Sequence, residues 1–119
     1  MAQPAVSKNA NIALWALQIL AAAAFLAAGI PKLAGAAQMV EVFQKVGGQW
    51  FRYVTGSLEI LGAIGLLIPR YTFYGASLLA IVMVGALIAV FAVLGVSPAP
   101  AAVLLLITAT IAYFRKEKQ

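Results

Sequence analysis

Long apolar runs, separated by short polar or turn-forming segments, dominate the pattern along this chain. The runs lie at about residues 11–30, 50–68, 72–95 and 98–114. Twenty residues of α-helix extend about 30 Å, which matches the hydrocarbon core of a bilayer. Short connections between such helices favour antiparallel neighbours. The pattern therefore predicts an all-α membrane protein, folded as an antiparallel four-helix transmembrane bundle in a single domain, residues 1–119.

The segment between the first two runs has a different pattern. Apolar and polar residues alternate at helical spacing over about 36–46, which predicts a short interfacial helix lying on the membrane surface. Gly47 and Gly48 follow it and are expected to end it. Pro31 precedes it and is expected to kink or end the first helix, because proline lacks a backbone N–H.

The first run also has features of a signal peptide, because Lys8 precedes an apolar stretch rich in alanine. The run is longer than the hydrophobic region of a signal peptide, and further apolar runs follow it. We therefore interpret it as a membrane span.

The composition agrees with a protein whose main solvent is lipid. Hydrophobic residues make up 65% of the chain and charged residues only 9%, against roughly 25% charged in soluble domains. The net charge of +5 comes from residues that flank the apolar runs, so it does not indicate a nucleic-acid partner. The expected partners are the lipid bilayer and either other membrane protein subunits or further copies of this chain.

The distribution of lysine and arginine predicts an orientation. With four spans, five of these residues fall on the side of the termini and three on the other side. Positive residues are enriched in cytoplasmic segments. We therefore expect a multi-pass protein of the inner (cytoplasmic) membrane with both termini in the cytoplasm. The two groups are Lys8, Arg70, Arg115, Lys116 and Lys118 against Lys32, Lys45 and Arg52.

The chain lacks two residue types that often carry chemistry in active sites, and their absence limits what it can do. The chain has no cysteine and no histidine. It therefore has no thiol redox centre or cysteine ligand for an iron–sulfur cluster, and it lacks the commonest metal ligand and general base. We predict no catalytic residue, no metal site and no intrinsic cofactor, and we do not expect the chain to be catalytic alone.

Glu59 is the residue most suggestive of function, because it lies in the middle of the second apolar run. A carboxylate at bilayer depth costs about 2.5–3.5 kcal/mol on insertion scales and needs a partner. Lys32, just after Pro31, is the first candidate partner, and Arg52 is its rival two helical turns before Glu59. Thr55 lies one turn before Glu59 on a similar face. The pair is either structural or a ligand or proton site.

Gln18 is a lone amide within the first run and must form hydrogen bonds inside the bundle. It either joins helices or contacts a bound head group or quinone. Aromatic residues at the membrane boundary either form an interfacial belt or line a site for a flat apolar ligand such as a quinone. These residues are Trp50, Tyr53, Tyr71 and Tyr74.

Three segments together resemble the DoxX-like family of small four-span membrane proteins. They are FLAAGIPKLAG at 25–35, TGSLEILGAIGLLIPR at 55–70, and VLGVSPAPAAVLLL before a basic end. The family pattern has a lysine after the first span and an acid in the second, which fall on Lys32 and Glu59. Relatives carry a Thr-His pair late in the third span, where this chain has Ala89 and Val90, so no mechanism that needs that histidine is expected.

The resemblance implies a four-helix bundle and an accessory or quinone-associated role. The first hypothesis is a non-catalytic membrane subunit or scaffold of a larger complex. The second is a quinone-binding module of a membrane oxidoreductase, with the redox cofactor on a partner. The third is a small transporter or proton pathway, which requires a water-accessible Glu59.

Overall fold

A computed structural model describes residues 7–95 and 97–116, without the side chain of Leu94, and all regular structure within them is helical. A 3₁₀ turn joins α3 to α4, and a π-helical turn extends the end of α4. The helices are α1 (Lys8–Ala34), α2 (Ala37–Lys45), α3 (Gln49–Leu67), α4 (Thr72–Ala89) and α5 (Ala99–Arg115), with the 3₁₀ turn at Pro69–Tyr71 and the π turn at Val90–Leu94.

The first helix continues past Pro31 to Ala34, so the expectation that Pro31 ends it is wrong, and the expected kink there stays a prediction. The missing N–H removes only one hydrogen bond of the helical ladder, and one further turn forms after it. Gly35 then ends α1 in the left-handed conformation, with φ 77°, and its N–H donates to the carbonyl of Pro31 at 3.0 Å. At the other end, the Ser7 hydroxyl caps α1 by accepting from the N–H of Ala10 at 3.1 Å.

The short helix α2 ends where the glycines predict. Its last residue is Lys45, and Gly47 and Gly48 follow with positive φ values of 76° and 87°. The side chain of Phe43 is buried and contacts Phe51 of α3 edge to face, with 6.1 Å between the ring centroids. This contact fixes α2 against the start of α3.

The π-helical turn at the end of α4 was not predicted from the sequence. Gly95 follows it with φ 67°, and its N–H donates to the carbonyl of Val90 at 2.9 Å. The sequence predicted one apolar run over 72–95, and apolar residues do continue through the turn. Apolar periodicity does not distinguish a π turn from the α-helix around it, because the wider turn inserts one residue without changing its character.

Close backbone contacts hold neighbouring helices in opposite directions. Along α1 and α3, Gln18 lies beside Leu66 while Gly29 lies beside Gly56, so the two helices run antiparallel. Between α3 and α4, a Cβ on Gly75 would lie 2.8 Å from the carbonyl oxygen of Gly62. Small residues permit this approach, as they do between helices in lipid. Helix α5 packs mainly on α4, and it meets α1 over a smaller area.

The buried core is apolar, and the outer surface of the bundle is apolar as well. By length and composition, two helical stretches of the described residues are suited to cross a membrane, namely Lys8–Ala34 and Pro69–Val93. Only 17% of the most apolar part of the second stretch is buried, so it is not the core helix of a water-soluble protein. The core consists of Ala21, Ala22, Phe25, Ala63, Leu66, Ala76, Leu79, Met83 and Ile111.

The bundle has two ends, the terminal end and the opposite end. The terminal end is where α1 begins at Lys8, α3 ends, α4 begins and α5 ends at Arg115. The opposite end holds the last turn of α1, the helix α2 and the first turns of α3 and α5.

Gly75→Ala is expected to lower the free energy of unfolding by about 1–3 kcal/mol, because its methyl group meets rigid backbone of α3 that cannot rotate away. Gly85→Ala in the same helix is the matched control, because nothing lies within 4 Å of its added Cβ. It is expected to be neutral or stabilising, since alanine favours a helix over glycine. Unfolding in mixed detergent micelles measures both. Equal effects of the two variants would contradict this packing.

Candidate functional site

A buried ion pair joins α1 to α3. The ammonium Nζ of Lys32 lies 2.9 Å from Oε1 of Glu59, and the two side chains are only 13% and 3% exposed. The ammonium also donates to the carbonyl of Ala28 at 3.2 Å. Oε1 has no aligned hydrogen-bond partner among the described residues, so the contact is a close charge pair without hydrogen-bond alignment.

Two glycines bring these charges together. A Cβ on Gly29 would lie 3.0 Å from the carbonyl oxygen of Gly56, and a Cβ on Gly56 would lie 2.9 Å from Cβ of Lys32. Lys32 and Glu59 each follow one of these glycines by three residues, so each lies on the same helix face one turn further on. The close approach of α1 and α3 therefore places the lysine beside the carboxylate.

Arg52, the rival partner, forms different contacts. Its Nε donates to Oε1 of Gln49 at 2.8 Å, and its Nη1 donates to the carbonyl of Lys32. That carbonyl belongs to the last turn of α1, whose carbonyls lack partners within the helix. The guanidinium also lies 4.4 Å from the ring centroid of Tyr53. Arg52 therefore caps α1. Thr55, one turn before Glu59 in α3, is half-buried, and among the described residues it has no hydrogen bond to the pair.

Gln18 is fully buried, and both ends of its amide form hydrogen bonds. Its Nε2 donates to the carbonyl of Leu66 at 2.8 Å, and its Oε1 accepts from Nε of Arg115 at 2.8 Å. Nη1 of Arg115 in turn donates to Oδ1 of Asn11 at 2.8 Å. The carbonyl of Leu66 lies in the last turn of α3 and needs such a donor. Gln18 thus connects three helices at the terminal end.

Sequence reasoning counted Arg115 only among the positive residues on the side of the termini and missed its role. The structure buries this residue, leaving 6% of it exposed. One signal was available in the sequence: Gln18 required a partner, and Arg115 directly follows the last apolar run on the side where the first run begins. Predicting the pairing needed the knowledge that α1 and α5 touch, which no local pattern supplies.

The four aromatic residues predicted at the boundary do not lie together. Tyr71 and Tyr74 line a groove of about 270 Å³ between α3 and α4, floored by Gly65 and Gly75. Trp50 and Tyr53 lie at the opposite end of α3 and are exposed. The groove is lined otherwise by aliphatic side chains, which suits an apolar guest. Its lining includes neither Lys32 nor Glu59.

The arrangement offers charge pairing and apolar binding but no cluster of metal ligands. Among residues 7–95 and 97–116, no group of three or more histidine, cysteine, aspartate or glutamate side chains is placed to hold a metal ion. The buried polar side chains instead contact one another or donate to backbone carbonyl groups.

Lys32→Met is expected to lower the free energy of unfolding by about 3 kcal/mol, because it leaves the Glu59 carboxylate buried without its counter-charge. The double variant Lys32→Met/Glu59→Gln is expected to lose less than the sum of the two single variants. Lys45→Met, on the exposed face of α2, controls for the loss of a positive charge and is expected to change little. Strictly additive effects would show that the pair contributes nothing.

Comparison with known proteins identifies the family of this chain. No curated protein and no solved structure matches the chain. A family model described as the DoxX-like family matches residues 16–112, which covers α2, α3 and α4 and most of α1 and α5. The match includes Gln18, Lys32 and Glu59. The chain therefore belongs to the DoxX-like family of membrane proteins.

Proposed function

We propose that this protein crosses the membrane four times and serves as a non-catalytic subunit or scaffold of a larger membrane complex. Helices α3 and α5 then cross the membrane as well, in addition to α1 and α4. Helix α3 has 19 residues and α5 has 17, which corresponds to about 28 Å and 25 Å, close to the thickness of the hydrocarbon core.

The polar content of α3 does not argue against a span. Its charged residues are Arg52 and Glu59, and both are buried against α1. Glu59 pairs with the ammonium of Lys32, and Arg52 donates to the carbonyl of Lys32. Charged residues within membrane proteins are expected to face the bundle interior in this way. The outer face of α3 carries apolar side chains such as Leu61, Ile64 and Leu67, all exposed.

The two ends of the bundle differ in charge, which supports an orientation. Among described residues, Lys8, Arg70, Arg115 and Lys116 lie at the terminal end, and Lys32, Lys45 and Arg52 lie at the opposite end. Lys118, which the sequence analysis counted with the first group, lies outside the described residues. The positive-inside tendency then favours an inner-membrane protein with both termini in the cytoplasm.

One observation carries the proposed scaffold role: the buried polar side chains are used to join helices. Lys32 and Glu59 pair with each other, Arg52 caps α1, and Gln18 joins α1, α3 and α5. What the bundle presents outward is a broad apolar surface, including the exposed Ile81 and Ile88 of α4 and Phe91 of the π turn. Such a surface suits lipid and the apolar helices of partner proteins or of further copies of this chain.

Purification of the tagged chain from its native membrane in a mild detergent is expected to recover it within a larger assembly of fixed composition. Size-exclusion chromatography with mass spectrometry of the eluted proteins measures this. An unrelated tagged four-span protein, expressed at the same level, controls for nonspecific association. Recovery as a lone monomer, with no protein enriched over that control, contradicts the subunit role.

A quinone-binding module is the second candidate, and the groove between α3 and α4 is the observation that favours it. The groove is apolar, opens on the outer face and carries two tyrosines, so it suits a flat ring that enters from lipid. Gln18 is less suited to hold a head group, because both ends of its amide already bond within the protein. Transport requires water at Glu59, whose side chain is 3% exposed, and we do not propose it.

Leu61→Trp is expected to abolish retention of ubiquinone if the groove is its site, because the indole fills the space beside Gly65. Ile81→Trp, exposed on α4 outside the groove, is the matched control and is expected to retain the quinone. Organic extraction of the purified chain with quantification of quinone gives the readout. Equal retention of ubiquinone by Leu61→Trp, Ile81→Trp and the unsubstituted protein excludes the groove as the site. Loss of ubiquinone only in Lys32→Met or Glu59→Gln moves the site to the ion pair.

A further inference from the structure

The guanidinium of Arg115 is buried and only partly bonded. Its Nε and Nη1 donate to Gln18 and Asn11, each at 2.8 Å. Nη2 is buried without a hydrogen-bond partner among the described residues. A guanidinium offers five N–H donors in a fixed planar fork, and a buried donor left without an acceptor is costly. Nη2 of this fixed guanidinium therefore lacks a hydrogen-bond acceptor among the described residues.

This cation also has no counter-charge among the described residues. Of the three acidic residues in the chain, Glu59 is paired with Lys32, Glu41 lies in α2 at the opposite end, and Glu117 lies outside the described residues. The terminal end has cations at Lys8, Arg70, Arg115 and Lys116, and no carboxylate among the described residues. Both neighbours of the guanidinium, Gln18 and Asn11, are neutral amides. Charge balance at this position therefore requires an anion other than a described carboxylate.

The position of Arg115 in the bundle indicates which anion lies near it. Tyr113 and Phe114 directly precede it and are exposed, and the Lys116 ammonium lies 4.5 Å from the Tyr113 ring centroid. Exposed aromatic residues beside a lysine are typical of the head-group layer of a membrane. Phospholipid phosphates lie in that layer. Arg115 also lies where α5 meets α1, which α5 contacts less extensively than it contacts α4.

We propose that Arg115 binds the phosphate group of a phospholipid at the terminal end of the bundle, between α1 and α5. Gln18 and Asn11 hold the guanidinium so that Nη2 donates to a phosphate oxygen. An arginine that only snorkels to the surface places its guanidinium in water, whereas this one is 6% exposed and fixed by two hydrogen bonds. The site is independent of the proposed subunit role, since it concerns lipid alone.

The test uses the full chain, delipidated in detergent and then incubated with phosphatidylglycerol, with diacylglycerol of the same acyl chains, or with phosphatidylcholine. Native mass spectrometry counts the lipids retained. We expect one phosphatidylglycerol or phosphatidylcholine per chain and clearly less diacylglycerol, which lacks the phosphate. This comparison needs no variant, so it stands even where a substitution impairs folding. Equal retention of diacylglycerol overturns the proposal.

Arg115→Gln is expected to weaken phospholipid retention about tenfold, the loss typical of one hydrogen bond to a charged group. Arg70→Gln is the matched control, because Arg70 is exposed at the same end and carries the same charge. Retention is expected to survive in Arg70→Gln. An equal loss in both variants indicates general surface attraction and overturns the specific site.

Two further outcomes identify a different anion. Displacement of the lipid by millimolar inorganic phosphate assigns the site to a soluble anion and contradicts the lipid source.

Glu117 lies outside the described residues, and Glu117→Gln provides the second check. If Glu117→Gln retains phospholipid and the unsubstituted protein does not, the Glu117 carboxylate is the group that binds Arg115. That result overturns the proposal. Retention unchanged by this substitution supports it.

Discussion

The close approach of α1 and α3 at Gly29 and Gly56 is the constraint on which the other polar contacts depend. A larger residue at either position would push the two helices apart, because the nearest atoms include backbone. With the helices this close, the Lys32 ammonium reaches Glu59, and Arg52 reaches the carbonyl of Lys32. Both charges of α3 are thereby satisfied by α1.

The same pair of helices is tied at its other end by an uncharged amide. Gln18 donates to the carbonyl of Leu66 near the end of α3 and accepts from Arg115 of α5. Polar contacts at two levels fix the register of α1 against α3, while apolar residues such as Phe25 and Leu66 fill the space between. In lipid, where apolar side chains gain little by associating, contacts of this kind and close packing carry much of the specificity.

Local patterns predicted much of this protein, and contacts between distant segments account for what they missed. Apolar runs and glycines indicated the helical segments, because burial and backbone conformation are local properties. Lys32 beside Glu59 was inferred from the cost of an isolated charge in lipid, and the structure places them 2.9 Å apart. The continuation of α1 through Pro31 was missed, because one lost hydrogen bond does not decide where a helix ends.

The site at Arg115 shows the limit of such reasoning more clearly. Gln18 and Arg115 are separated by 97 positions in the chain, and their contact follows from the way α5 returns to α1. Likewise, Tyr71 and Tyr74 were grouped with Trp50 and Tyr53 by residue type, yet they line a groove at the other end of α3. Which helices are neighbours is a property of the whole fold, and residue type alone does not reveal it.

The central claim is that α3 crosses the membrane. Single introduced cysteines test this claim directly, because the chain has no cysteine of its own. Cysteines at Ser7 and Tyr71 mark the terminal end, and cysteines at Ala37 and Ser97 mark the opposite end. An impermeant maleimide applied to cells with the outer face exposed is expected to label Ala37→Cys and Ser97→Cys, and to label the other two only after permeabilisation. Labelling of Tyr71→Cys and Ala37→Cys from the same side would show that α3 does not span the bilayer and would contradict the four-span account.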